Sequence, residues 1–151
     1  MNGLPGRALI AFLVLPGVVA FLVPLLLLAP GDARAFSNSL GAAPLGVGVV
    51  LLLSCVREFY VAGRGTLAPW SPPEELVVTG PYRFSRNPMY IAVFLVLSGW
   101  AVGFRSWPLA AYAGIVLVVF HLRVVFQEEP WLARTHGLSW TRYQARVSRW
   151  F

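Results

Sequence analysis

Two stretches of this 151-residue chain carry most of the side chains able to do chemistry. The first is Leu-Ala-Pro-Trp-Ser-Pro-Pro-Glu-Glu-Leu-Val-Val-Thr-Gly-Pro-Tyr-Arg-Phe-Ser-Arg-Asn-Pro-Met-Tyr, from Leu67 to Tyr90. Proline and glycine are too frequent there for a helix, and the apolar residues too many for a plain solvated loop. Thr79-Gly80-Pro81-Tyr82 is expected to turn sharply, with Gly80 giving backbone freedom and Pro81 a fixed φ. Asn87-Pro88 then opens a helix, with Pro88 near the first position, where its missing N–H costs nothing. The free N–H groups at such an end suit a carboxylate. The second stretch is His121-Leu122-Arg123 followed by Glu128-Glu129. Two adjacent carboxylates beside an apolar run are costly unless they meet cations or water.

The elements that must hold these residues are membrane helices. Hydrophobic residues make up 58% of the chain and charged ones only 12%, about half the share of a soluble domain. A spanning helix takes about 20 apolar residues, which leaves room for about four. The runs are Ala8 to Ala29, Leu40 to Ala62, Met89 to Phe104 and Pro108 to Phe126. The expected fold is therefore an all-α integral membrane protein of about four transmembrane helices. Residues 1–63 form two N-terminal spans and residues 64–151 a core of loop, hairpin and tail. Gly103, Ser106 and Pro108 leave a tight join, so the third and fourth runs read as a helical hairpin, with Trp100 and Trp107 at its tip. Trp140, Tyr143, Val147 and Trp150 recur at helical spacing opposite Arg142, Arg146 and Arg149. That pattern predicts an amphipathic C-terminal helix lying in the membrane interface.

The net charge of +6 comes from twelve arginines, with no lysine, set against six acidic residues. Most of them fall in the N-terminus, in Gly63 to Pro88 or in the tail, so both termini are expected on the cytoplasmic side. Ala33-Arg34-Ala35 resembles a leader cleavage site, but the preceding apolar stretch is long enough to span and is expected to remain. No nucleic-acid module accompanies the positive charge. The single cysteine, Cys55, sits in an apolar run and is expected to pack. His121 is expected to be hydrogen-bonded within the bundle, His136 to lie on the tail surface, and Arg57 to snorkel. No metal-ligand spacing occurs. Gly46-Val47-Gly48 lies mid-span without strand-turn-helix context and fits close helix packing rather than dinucleotide binding.

Glu75-Leu76-Val77, Gly80-Pro81-Tyr82, Arg86-Asn87-Pro88-Met89-Tyr90, Glu128-Glu129, Gly137 and Tyr143 follow one another in this order. The series resembles the isoprenylcysteine carboxyl methyltransferases and their relatives, the membrane phospholipid N-methyltransferases. Their pattern is E-L-V, G-x-Y, R-H-P-x-Y, then a glutamate pair after a span. The resemblance covers roughly residues 64 to 150. It implies methyl transfer from S-adenosylmethionine to a lipophilic or lipid-modified acceptor reached from the bilayer. It places Leu76, Val77, Tyr82, Arg86, Asn87, Pro88, Met89, Tyr90 and Glu128 around the cofactor, and makes Arg123 and Glu129 the candidate catalytic residues.

Two positions depart from the pattern. The family histidine is Asn87, which hydrogen-bonds but does not titrate near neutral pH. The arginine that eukaryotic enzymes carry four residues before the first glutamate is Val124. Arg123 stands one residue off, about 100° away on an ideal helix. Two other classes remain open from the sequence. A nicotinamide-dependent sterol reductase shares a related core but is usually larger. A four-helix transporter is disfavoured because no acidic residue lies in Ala8 to Ala29, which leaves a non-catalytic scaffold as the further alternative.

Overall fold

The computed structural model describes residues 13–28, 36–62 and 75–151. The leader-like Ala33-Arg34-Ala35, Arg7 and residues 63–74, Arg64 among them, lie outside the described residues. Within them every regular element is helical. A wide π-helical segment, Leu13–Leu22, contains Pro16 and continues into α1, Val23–Leu27. A short turn, Ser39–Gly41, leads into α2, Ala42–Val61. A single 3-10 turn, Gly80–Arg83, precedes α3, Pro88–Gly103. Phe104, Arg105 and Ser106 then connect to α4, Trp107–Arg123. A π-helical turn, Val124–Glu128, joins α4 to α5, Glu129–Gln144.

Two continuous stretches, Ser39–Val61 and Trp107–Gln144, are long and apolar enough to cross a membrane. Pro16–Leu27 and Pro88–Gly103 are apolar but shorter. Pro88 begins α3 and the helix stops at Gly103, so its 16 residues rise about 24 Å, less than a hydrocarbon core of about 30 Å.

The core lies between α2, α3 and α4. Leu52, Ala92, Val93, Val96, Leu97, Ala113 and Val116 are buried there together with Ala20 of the first segment. Tyr112 donates from α4 to the Val19 carbonyl at 3.1 Å and ties that segment to the bundle. Gly48 explains the close approach of α2 to α3: a Cβ there would stand 2.7 Å from the Val96 nitrogen. Gly46 has nothing within 4 Å, so of the two glycines only Gly48 serves helix packing.

The C-terminal region differs from its expected form. The helical path does not end near Phe126 but continues through the π turn, bends at Gly137 (φ 48°, ψ −117°) and ends at Gln144. Val147 and Trp150 therefore lie beyond the helix. Trp140 and Tyr143 are buried rather than presented to a membrane surface. The reason is a competing partner: the Tyr143 hydroxyl donates to the Tyr82 carbonyl at 2.7 Å, and the Arg86 guanidinium lies 5.4 Å from the Trp140 ring centre.

Candidate active site

The segment before α3 is shaped by its neighbours. Gly80 adopts φ +57°, and a side chain there would collide with Glu58 of α2. The Glu58 carboxylate accepts from the Thr79 hydroxyl and from Arg57 at 3.2 Å. Arg57-Glu58 thus fixes the turn rather than lining the site. Tyr82 is buried against Phe59, with ring centres 5.6 Å apart. Burial first, and then the nearby Cys55 thiol, raises the Tyr82 phenol well above its ordinary pKa, so it stays neutral.

Pro130 shapes the other wall. It has no N–H for the carbonyl four residues back, and its ring crowds that carbonyl, so the preceding turn widens. The Glu129 N–H accordingly bonds the Val124 carbonyl, a five-residue step. The wider turn carries Arg123 round to the face of Glu128, and Arg123 Nε donates to Glu128 Oε1 at 2.8 Å. The ideal-helix expectation of a 100° offset is therefore corrected: one extra residue in the turn removes it. The Tyr90 hydroxyl donates to the same carboxylate oxygen. Tyr90 also lies on Phe120, with ring centres 4.3 Å apart.

These walls enclose a cavity of about 730 Å³. Leu76, Val77, Tyr82, Arg86, Asn87, Met89, Tyr90, Arg123 and Glu128 all line it. Pro88 is buried at the start of α3 and does not. Glu129 does not line it either. Its Oε1 accepts from Arg149 Nε at 2.9 Å and its Oε2 from Arg149 Nη2 at 2.8 Å, and Arg86 Nη1 lies in an ion pair 3.0 Å from Oε1. Both Glu129 oxygens are thus turned to arginines, and the carboxylate stands beside the cavity rather than in its lining.

The phospholipid methyltransferase family model matches residues 36–139 of this chain. The chain belongs to that family. Membership supports a membrane methyltransferase in general. No curated protein and no solved structure matches the chain. The match reaches back to Phe36, ahead of the motifs from Glu75 onward, and ends before Trp140, Tyr143 and Arg149.

Sequence reasoning missed several residues of this family member's cavity. Phe59, Val93, Phe120 and Phe126 give it an apolar side, and Trp131, Arg134, His136 and Trp140 line it from α5. Their apolar or tail positions gave no chemical signal, although the step from Trp140 to Tyr143 did mark one helix face. His136, expected on the surface, faces the cavity beside Trp131, with ring centres 6.1 Å apart. His121 is exposed and lies 6.0 Å from the Trp150 ring instead of bonding inside the bundle. Among the described residues no group of three or more His, Cys, Asp or Glu could hold a metal ion.

Proposed function

We propose that this chain transfers a methyl group from S-adenosylmethionine to a lipophilic or lipid-modified acceptor. One observation carries the reading: residues separated by 52 positions, Leu76 to Glu128, line a single cavity. Its volume of about 730 Å³ lies in the range of small-molecule sites, about 300–1,000 Å³.

The residues present fit that cofactor. Glu128 offers a carboxylate to hydroxyl or ammonium groups, held in place by Arg123 and Tyr90. Arg86 lines the cavity and brings a guanidinium to it, suited to a ligand carboxylate. Trp131, Trp140 and Tyr90 bring aromatic rings to the same space, favourable for a cationic centre. When bound, S-adenosylmethionine supplies an already activated sulfonium methyl. The protein's work is then alignment and exclusion of water. Val93, Phe120 and Phe126 form the apolar side through which the acceptor would arrive from the bilayer.

In the same reading the four apolar helical stretches all cross the membrane, with α3 and α4 as a hairpin and both termini cytoplasmic. Short α3 is accommodated by local thinning of the bilayer around it.

Calorimetric titration of the purified, detergent-solubilised protein with S-adenosylhomocysteine tests the reading, with NADPH as comparison. Saturable binding of S-adenosylhomocysteine alone is expected. Binding of NADPH alone, or of neither ligand by folded protein, overturns it.

A further inference from the structure

The last residues of the chain are laced to the segment that lines the cavity. The Ser148 carbonyl accepts from the Arg86 N–H at 3.0 Å. The Arg149 carbonyl accepts from Ser85 Oγ at 3.2 Å and from Asn87 Nδ2 at 3.0 Å. These bonds use the backbone of the tail. The Arg149 side chain does something separate: it grips both oxygens of Glu129 in a fork. That leaves Arg86 one contact on the same carboxylate, through Nη1.

A guanidinium offered a free carboxylate pairs with it through two parallel N–H groups. Arg86 is kept from doing so because Arg149 already fills the fork. Its Nε consequently remains buried and without a protein partner among the described residues. A buried donor in that state is unfavourable, so the arrangement has to be held in place by its neighbours. Arg149 and Glu129 thus hold Arg86 in place and leave part of its hydrogen-bonding capacity unspent, beside a cavity.

We propose that Arg149 is a positioning residue for ligand recognition: by occupying both oxygens of Glu129 it stops the Arg86 guanidinium from closing a second contact there and keeps it at the cavity for the carboxylate end of the bound cofactor. This rests on the methyltransferase reading above. It assigns the C-terminal tail a part in binding although Arg149 itself lies outside the cavity lining. Without Arg149, Arg86 turns its second N–H group onto Glu129 and is lost to the ligand.

The experiment is calorimetric titration of wild-type and Arg149→Ala protein with two probes. S-adenosylhomocysteine carries the amino-acid carboxylate, and 5′-methylthioadenosine lacks it. The substitution keeps the tail's backbone bonds to Ser85, Arg86 and Asn87, so the thermal midpoint is measured alongside. We expect Arg149→Ala to weaken S-adenosylhomocysteine by about tenfold or more while 5′-methylthioadenosine is unchanged. Arg149→Lys keeps the charge without the fork, and the expected selective loss is intermediate. It also serves if the alanine variant does not fold. Equal weakening of both probes, or no weakening of either, overturns the inference while leaving the methyltransferase reading in place. Wild-type protein that binds neither probe overturns that reading, and this inference with it.

Discussion

Arg123 and Glu128, five residues apart, meet through a 2.8 Å charged hydrogen bond because the helix between them makes a π turn. In an α-helix the side-chain partners of Glu128 would be three or four residues away. The widened turn gives this chain an arginine–glutamate contact at a spacing that an α-helix would not provide. It also points both groups into the cavity with Tyr90.

The carboxylate of Glu128 is the expected centre of ligand binding. Glu128→Gln keeps the shape but removes the charge, and S-adenosylhomocysteine affinity should fall by about tenfold to a hundredfold, as for loss of a hydrogen bond to a charged group. Titration calorimetry on protein with an unchanged thermal midpoint reads this. Undiminished affinity would remove Glu128 from the site.

The π turn itself can be tested through Pro130. Pro130→Ala restores a donor for the carbonyl of Phe126 and lets the turn relax toward an α-helix. The expected outcome is a higher thermal midpoint together with lower kcat/KM, because Arg123 rotates away from Glu128. A variant that gains stability and keeps full activity would show that the contact is dispensable.

Tyr143 ties α5 to the loop through the Tyr82 carbonyl. Tyr143→Phe removes only the hydroxyl from a buried bond, costing about 1 kcal/mol or somewhat more. Thermal unfolding should show that loss, and proteolysis should cut faster near Tyr82. Retained loop protection would place the tether elsewhere.

Gly48 and Gly46 make an internal comparison. Gly48→Ala forces a methyl against Val96 and Ala92 and should destabilise by about 1–3 kcal/mol. Gly46→Ala meets open space and should be neutral or stabilising by up to about 1 kcal/mol. Equal effects in detergent unfolding would contradict the α2–α3 packing.

Much of the helical plan was legible because apolar runs and their proline and glycine stops are local signals. The residues of Leu76 to Tyr90 were legible as motif, and that they share a site with Glu128 was implied by the family resemblance, not by spacing. The direction of Arg123 was not legible because spacing alone assumes 3.6 residues per turn, whereas Pro130 changes the turn before it. The pairing of Glu129 was not legible because its partner, Arg149, lies twenty residues on, past a bend at Gly137 and in the tail. Trp140 and Tyr143 were read as a membrane face, since a periodic aromatic stripe looks the same whether it meets lipid or a folded loop.

The most direct test of the account is transfer itself. Purified protein in vesicles of membrane lipid extract is supplied with S-adenosylmethionine carrying a radiolabelled methyl group, and label is counted in the organic-soluble fraction. The account expects protein-dependent labelling of a lipophilic product that Glu128→Gln largely abolishes. Label that stays wholly in the aqueous phase with folded wild-type protein, or labelling unchanged by Glu128→Gln, would contradict it.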